Sequence, residues 1–581
     1  MIRWAVIVFV VVAIGRAVRP APTRAATGPS LAHAVPAGAV AYGELAGLDR
    51  LIDQLRASRY YQLVVDSPQF QQVQKTPNFR KAQAARQIAE TQLGMDLWSA
   101  AKLLGRRAAL AIYPKPNRKQ PDVLLIIRVA EAETFGKLLE RLEPLLVLAE
   151  DQLKSSESAG GIRTISSADG KAHIAHGKDW LAAANAKELI DGCVALAAGS
   201  GRSLADDDSF AAMRKRIGAD HLFTGYINTA LAAKATGGRS VPQKLDNPVG
   251  SLLLSGELEL AAASPYAAVT VDLEDNRFAV ALSIAGETTK LPAPYQAFFS
   301  DPSSVGVGAL PAVPGLVAGF SFYRDFAAWY QQREQFLQEQ VLPGFDKFES
   351  GLANLLPGKK FGEDVLPLIG KTLTFVAAKQ DYSHLDGKPG VQLPGFALVI
   401  ELAKPEEGGS LMKLLFQTVS SIANLTAGEQ GRQPMIMDLE NYKGVNLSYG
   451  KYLQKPKADR LPISVNFTPA GAQVGNWYIL SSSVDLCRKL IDVYQSQSIT
   501  GGELPNRNLA IEVQAKAATD LIEANRELFV SRMIQQGRTS ERAAAEFKLL
   551  TDVLRQFEAV KFRTGADTGS YGAVFEVTWS Q

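Results

Sequence analysis

Leu93-Gly94-Met95-Asp96-Leu97, followed by Leu103-Leu104-Gly105-Arg106, returns later in the chain as Phe361-Gly362-Glu363-Asp364-Val365, followed by Leu368-Ile369-Gly370-Lys371. Each copy runs into an apolar stretch of strand length, Ala108 to Ile112 in the first and Leu373 to Ala377 in the second. A repeated word with a repeated element behind it points to a tandem duplication.

The order of elements around the two copies supports that reading. Upstream, Val35-Pro36-Ala37-Gly38-Ala39-Val40-Ala41-Tyr42 answers to Leu310-Pro311-Ala312-Val313-Pro314-Gly315-Leu316-Val317-Ala318, each a Pro-initiated extended segment before a helical pattern. Downstream, the runs Val123–Ile127 and Phe396–Ile400 predict strands, and each leads into an amphipathic helix. Phe135, Leu138, Leu139 and Leu142 carry the stripe in the first, and Leu411, Leu414 and Leu415 begin it in the second. Trp180 then precedes Leu189, Ile190, Cys193 and Leu196, as Trp477 precedes Leu486, Cys487, Leu490 and Ile491. The strands 221–226 and 508–513 and the terminal strand pairs 267–284 and 560–578 complete the match.

Hairpins outnumber strand-helix-strand crossovers, so the expected fold class is α+β: two tandem related domains, each a mainly antiparallel sheet with packed amphipathic helices. The expected boundaries are a leader over 1–34, a first repeat over 35–290, a Pro/Gly/Ser-rich linker over 291–315 and a second repeat over 316–581. The second repeat carries helical insertions at 323–356 and 518–559, the latter broken near Gly537 with Thr539 or Ser540 as the next cap.

Arg3 ahead of the apolar run Trp4 to Ile14, with small residues after it, has the pattern of a secretory signal. The run is shorter than the roughly 20 residues of a bilayer span. The arginines that follow leave an uncleaved N-terminal membrane attachment as the alternative, and either way the body is expected outside the cytoplasm. Of the formal charge of +3, four positive charges (Arg3, Arg16, Arg19, Arg24) fall in this leader, leaving a near-neutral body. Such a body lacks the basic footprint of a nucleic-acid binder. With 46% hydrophobic and 21% charged residues over 581 positions, the chain can bury more than one core.

Candidate chemistry is sparse. Ser410-Leu411-Met412-Lys413 has the spacing at which a lysine activates a serine one helical turn away, which makes Ser410 and Lys413 the candidate catalytic pair of a serine hydrolase. Thr134-Phe135-Gly136-Lys137 stands at the matching place, so N-capping by a hydroxyl explains both. Gly370-Lys371-Thr372 ends like a phosphate loop, but Val365 stands where the loop needs glycine. His173 and His176 point to opposite faces of one strand, and Asp206-Asp207-Asp208 reads as a helix start, so neither metal nor cofactor is expected. Lys115-Pro116-Asn117-Arg118-Lys119 reads as a solvated hairpin tip. Cys193 and Cys487 lie on apolar helix faces as buried thiols, with a disulfide as the alternative.

Pro36 to Tyr42, Leu93-Gly94-Met95-Asp96 with Leu104-Gly105, and Ser203-Leu204-Ala205-Asp206-Asp207 with Phe210 resemble an exported bacterial family of unknown function. The resemblance implies an envelope or secreted location and a duplicated α+β body; it brings no catalytic residues. The expected function is that of a non-catalytic binding or scaffolding protein of the cell envelope, its partner an unknown protein or a hydrophobic ligand. The alternatives are the Ser410/Lys413 hydrolase and a carrier of a hydrophobic ligand.

Overall fold

The computed structural model describes residues 29–57, 61, 65, 68–115, 120–147, 153–158, 161–218, 221–236, 238, 241–274, 276–300, 306–307, 310–431, 433–452, 460–496, 507–567 and 569–579. The apolar run from Trp4 to Ile14 lies outside them. Contacts divide the chain into two compact units, the first made of residues up to 240 with 261–285, the second of 241–260 with 286–580.

Each unit is α+β and is organised by one antiparallel sheet. The strands of the first are β1 (Ala41–Ala46), β2 (Arg107–Tyr113), β3 (Asp122–Arg128), β4 (Leu153–Ser158), β5 (Ile162–Ser167), β6 (His173–His176), β7 (Trp180–Ala184), β8 (Phe223–Asn228), β9 (Tyr266–Glu274) and β10 (Arg277–Ala285). They pair in the order β10-β9-β8-β1-β2-β3-β7-β6-β5-β4. The second unit has β11 (Leu316–Tyr323), β12 (Ile369–Ala378), β13 (Gly395–Leu402), β14 (Met435–Tyr442), β15 (Val445–Tyr452), β16 (Ala470–Val474), β17 (Trp477–Ser481), β18 (Arg507–Gln514), β19 (Phe557–Asp567) and β20 (Ser570–Trp579). These pair as β20-β19-β18-β11-β12-β13-β17-β16-β15-β14. Raising every label of the first order by ten gives the second. A separate two-residue parallel pair joins Lys388–Pro389 to Arg460–Leu461.

Alternation along the strands places one apolar set under helices. The helices that matter are α1 (Ala132–Val147), α2 (Lys187–Ala197) and α3 (Asp208–Ile217) in the first unit, and α4 (Pro405–Glu429) and α5 (Val484–Gln495) in the second. In the first unit Tyr42, Ala109, Ala111, Leu124, Ile126 and Tyr226 pack with Ile190 and Cys193 of α2 and Phe210 and Met213 of α3. Phe210 stands edge-on to Tyr42 and Tyr226, at 5.5 and 5.1 Å between ring centres. In the second unit Val376, Ala397, Val399, Leu447 and Ile479 receive Leu486, Cys487, Leu490 and Ile491 of α5. Burial of each such aliphatic side chain contributes on the order of 2 kcal/mol.

Several local expectations change. The repeated word does not build the same local structure twice. Gly94, at φ 68°, ends the helix Pro77–Leu93, and Asp96 accepts from the N–H groups of Trp98 and Ser99 to cap the helix Leu97–Leu104. Its second copy forms a π turn over Phe361–Val365 and a 3-10 turn over Leu366–Leu368, in which Pro367 has no N–H to extend a helix. The helical insertion expected over 323–356 is split into Phe326–Gln331, Arg333–Phe336, Glu339–Val341 and Pro343–Leu355. Leu31–Ala34, read as part of the leader, form a 3-10 turn whose Leu31 and Ala32 are buried in the core of the first unit. Residues 291–315, read as a linker, hold the short helix Ala293–Gln296 and bury Tyr295, Phe298, Phe299 and Val313. The break at Gly537 falls as expected, and Thr539 caps Ser540–Leu554 by accepting from the N–H of Arg542 at 3.3 Å.

Candidate binding face

The side chains opposite the cores give each sheet a second apolar face. In the first unit Ile174, Ala183, Leu125, Leu110, Gly43, Gly225, Val269 and Leu282 stand in register on neighbouring strands from β6 to β10. At roughly 4.8 Å per strand the row runs about 34 Å, and no polar side chain interrupts it. Leu110 is 45% exposed, Leu125 38%, and Ile174 and Leu282 37% each. Gly43 and Gly225 matter here because the ring of Phe223 lies over both: a Cβ at either would meet it at 3.2 Å.

The same register positions in the second unit are Gly471, Leu480, Leu398, Phe375, Phe320, Ile511, Phe562 and Phe575. Phe375 is 40% exposed and Phe575 36%. Part of this face is covered by α4, whose Leu411 and Met412 pack with Ile400, Leu402 and Tyr478. Phe416 of α4 fills the space above Gly471, where a Cβ would meet its ring at 3.2 Å. The buried stripe of α4 is thus Leu411, Met412 and Phe416, and Leu414, expected within it, is exposed. From Leu414 to Gly428 this helix carries no charge, and it also exposes Ile422 and Leu425. In the first unit Phe135 and Leu138 of α1 pack with Leu103, Val129 and Leu181, so α1 covers the matching end of that face, beside Ala183.

These rows were not singled out from sequence. Their signal was the unbroken apolar runs of β3 and β13, which mark strands whose two faces are both apolar.

Two concave features accompany the faces. In the first unit a cavity of about 200 Å³ lies among Ser30, Leu31, Ile126, Arg128, Trp180, Cys193 and Leu196. The turn over it is tied down by the buried carboxylate of Glu44, which accepts from Ser30 Oγ at 2.5 Å, the Leu31 N–H at 3.3 Å, Tyr42 OH at 2.7 Å and Arg107 Nη1 at 2.5 Å. Burial, and then the charge of Glu44, push the Tyr42 phenol well above its ordinary value. In the second unit an open cleft of about 800 Å³ is lined by Lys244, Glu259, Tyr295, Glu334 and Glu339 among others.

The residues singled out from sequence are placed as follows. Ser410 and Lys413 both lie on the exposed side of α4 and line neither concavity. Because α4 begins at Pro405 and α1 at Ala132, Ser410 and Thr134 stand inside their helices and cap neither, which corrects the capping explanation. Proline at the first helical position sets the start of α4. The N–H groups of Lys371 and Thr372 donate to Glu401 Oε2 at 3.0 and 2.9 Å, so a carboxylate of the chain itself occupies the place a phosphate would need. His173 is buried between Ser166 Oγ at 2.8 Å and the Gly170 carbonyl at 3.1 Å. Asp207 caps α3 by accepting from Ser209 and Phe210 N–H groups, while Asp206 closes a capping box with Ser203. Lys115 pairs with Asp122 at 2.9 Å; residues 116–119 of its basic turn lie outside the described residues. Cys193 and Cys487 are free and buried, and burial pushes both thiols up to about 12. Among the described residues no group of His, Cys, Asp and Glu is arranged to hold a metal, and no helix is long and apolar enough to cross a membrane.

No family model matches the chain, and neither does any curated protein, so the family resemblance gains no support there. Among solved structures, crystal form I of TP0453 matches at 10% identity with a TM-score of 0.24, covering 47% of this chain and 84% of that one. Crystal form IV matches at 10% identity and 0.22, covering 44% and 79%. Likeness at that level carries nothing to the fold or the function of this chain.

Proposed function

We propose that this chain is an exported, non-catalytic binding protein built from two copies of one unit, and that the exposed apolar row on the sheet of the first unit is its principal binding surface. The observation that carries the reading is the row from Ile174 to Leu282: one apolar or glycine residue on each of the eight strands β6, β7, β3, β2, β1, β8, β9 and β10, with the leucines and the isoleucine more than a third exposed. Contiguous apolar surface on this scale marks an interaction site. The duplication rests on the identical pairing order of the two sheets, and export on the leader sequence.

The composition of the face selects the occupant. Its central row offers aliphatic side chains and the ring of Phe223, with no charge and no hydrogen-bonding side chain, which is the make-up of an obligate protein interface, a domain core cut in half. An open face of this length also suits another protein surface better than an enclosed small molecule. The hydrolase alternative has little behind it, since Ser410 and Lys413 sit on an exposed helix surface.

The test is native mass spectrometry of the full chain isolated from its own host, beside Leu110→Lys/Leu125→Lys. A stoichiometric complex heavier than the 62.6 kDa chain is expected, reduced to the chain alone by the double lysine variant with its circular dichroism unchanged. A chain that arrives alone, or bound only to small lipids, would overturn the protein-partner reading.

A further inference from the structure

The cavity of the first unit has features that the sheet face lacks. Its lining is mostly apolar, with Leu31 on the turn, Ile126 on β3, and Cys193 and Leu196 on α2, and it also includes Ser30 and His33 of the turn. At its rim stand two cross-strand neighbours, Arg128 and Trp180. Arg128 Nε is buried without a hydrogen-bond partner among the described residues. The carboxylate facing it, Asp179 Oδ2, is 3.9 Å away and half exposed, at the outer limit of an ion pair. The Glu44 carboxylate near the turn is already engaged by Arg107, Tyr42 and Ser30, so it does not compete for Arg128.

The second unit shows what this arrangement is not required for. At the register position of Arg128 it has Glu401, still beside a tryptophan, Trp477, and that carboxylate is held by the N–H groups of Lys371 and Thr372. The Cys193 position answers to Leu490 in the repeat register. An arginine at the rim of this cavity, its side chain 35% exposed, is therefore a property of the first unit alone and is dispensable for the shared sheet.

We propose that this cavity binds a small monocarboxylate with an aromatic or short aliphatic body, the body lying on Leu31, Ile126 and Leu196 and the carboxylate on Arg128. The size sets the class. An apolar cavity of about 150 Å³ holds a benzene ring, so about 200 Å³ accommodates a ring with a short acid arm. The guanidinium fork matches a carboxylate in two-pronged fashion. Such a ligand exchanges the long contact to Asp179 for close charge-assisted hydrogen bonds. This site is separate from the sheet face, and either assignment stands or fails without the other.

Calorimetry on the full chain tests it, with phenylacetate as the anionic probe and 2-phenylethanol as its neutral counterpart. Phenylacetate is expected to bind one site per chain. Arg128→Gln should weaken phenylacetate about tenfold or more while leaving 2-phenylethanol unchanged, the ratio expected from losing charged hydrogen bonds. Cys193→Leu, which fills the cavity with the residue type of the second unit, should abolish both, with the thermal midpoint reporting that the variant folds. Absence of phenylacetate binding to the unmodified chain, or equal binding by Arg128→Gln, would overturn the proposal. Leu110→Lys/Leu125→Lys should leave phenylacetate binding intact, which separates this site from the face.

Discussion

Glu257 and Arg324 face each other at 3.9 Å inside the second unit, and each keeps a polar atom, Glu257 Oε2 and Arg324 Nε, without a hydrogen-bond partner among the described residues. Tyr571 donates to Glu257 Oε1 at 3.1 Å, and the guanidinium stacks on Phe298 at 4.4 Å while donating to its carbonyl. Burial raises the Glu257 carboxyl and lowers the Arg324 guanidinium, so desolvation outweighs the attraction at both. Arg324→Leu should therefore destabilise by about 3–5 kcal/mol, because it strands a buried carboxylate. Arg324→Leu/Glu257→Leu should recover much of that loss. Urea midpoints of the three proteins decide it; a double variant as unstable as the single one would show that the pair stabilises the fold outright.

Thr539 and Ser410 make a matched comparison of hydroxyl residues at and away from a helix start. Thr539 accepts the N–H of Arg542, whereas Ser410 stands a full turn inside α4 and is exposed. Thr539→Ala should cost about 1 kcal/mol. Ser410→Ala should cost nothing or gain a few tenths of a kcal/mol from helix propensity. Thermal melts separate the two, and a Ser410→Ala loss equal to that of Thr539→Ala would contradict the placement of the α4 start.

What could be read from sequence was what neighbouring residues decide. The strands at Ala108–Ile112, Val123–Ile127 and Phe396–Ile400 grew by only a few residues in the structure, because an apolar run bounded by polar or turn residues fixes a strand locally. The caps at Asp207 and Thr539 were legible for the same reason. The start of α4 is set by Pro405, which suits a first helical turn, and not by the hydroxyl of Ser410 five residues on. Glu257 and Arg324 could not be paired in advance, since nothing local in Pro248–Ala263 announces that its carboxylate meets the residue just after β11. Nor could the open face: in Val123–Ile127 both faces are apolar, and which one stays uncovered depends on where α1 and α2 pack.

Cys193 and Cys487 should resist alkylation in the folded chain. Both thiols are pushed up to about 12 by burial, so little nucleophilic thiolate exists at pH 8. Iodoacetamide labelling followed by mass spectrometry should run about a thousandfold slower than for a free thiol, and reach two labels per chain in denaturant without reductant. Failure to label in denaturant until reductant is added would mean that the two are paired.

His221 gives the first unit a pH dependence whose sign is fixed by its partners. Its Nδ1 lies 2.9 Å from Asp272 Oδ1 and its Nε2 2.7 Å from the Ile217 carbonyl, an arrangement in which only the protonated ring donates on both sides. The Asp272 hydrogen bond is the largest cause raising this imidazole above its ordinary value, with burial acting in the opposite sense. A raised folded value means that the unfolded chain holds fewer protons than the folded one between the two titrations. The contribution to stability is thus complete below the ordinary histidine value of about 6.5 and is lost as pH rises through the higher, folded value. Asp272→Asn should therefore lower the urea midpoint more at pH 6 than at pH 9, and the His221 ring resonance should titrate at lower pH in that variant. Equal losses at the two pH values would show that Asp272 acts on the fold by packing and not through the charge on His221.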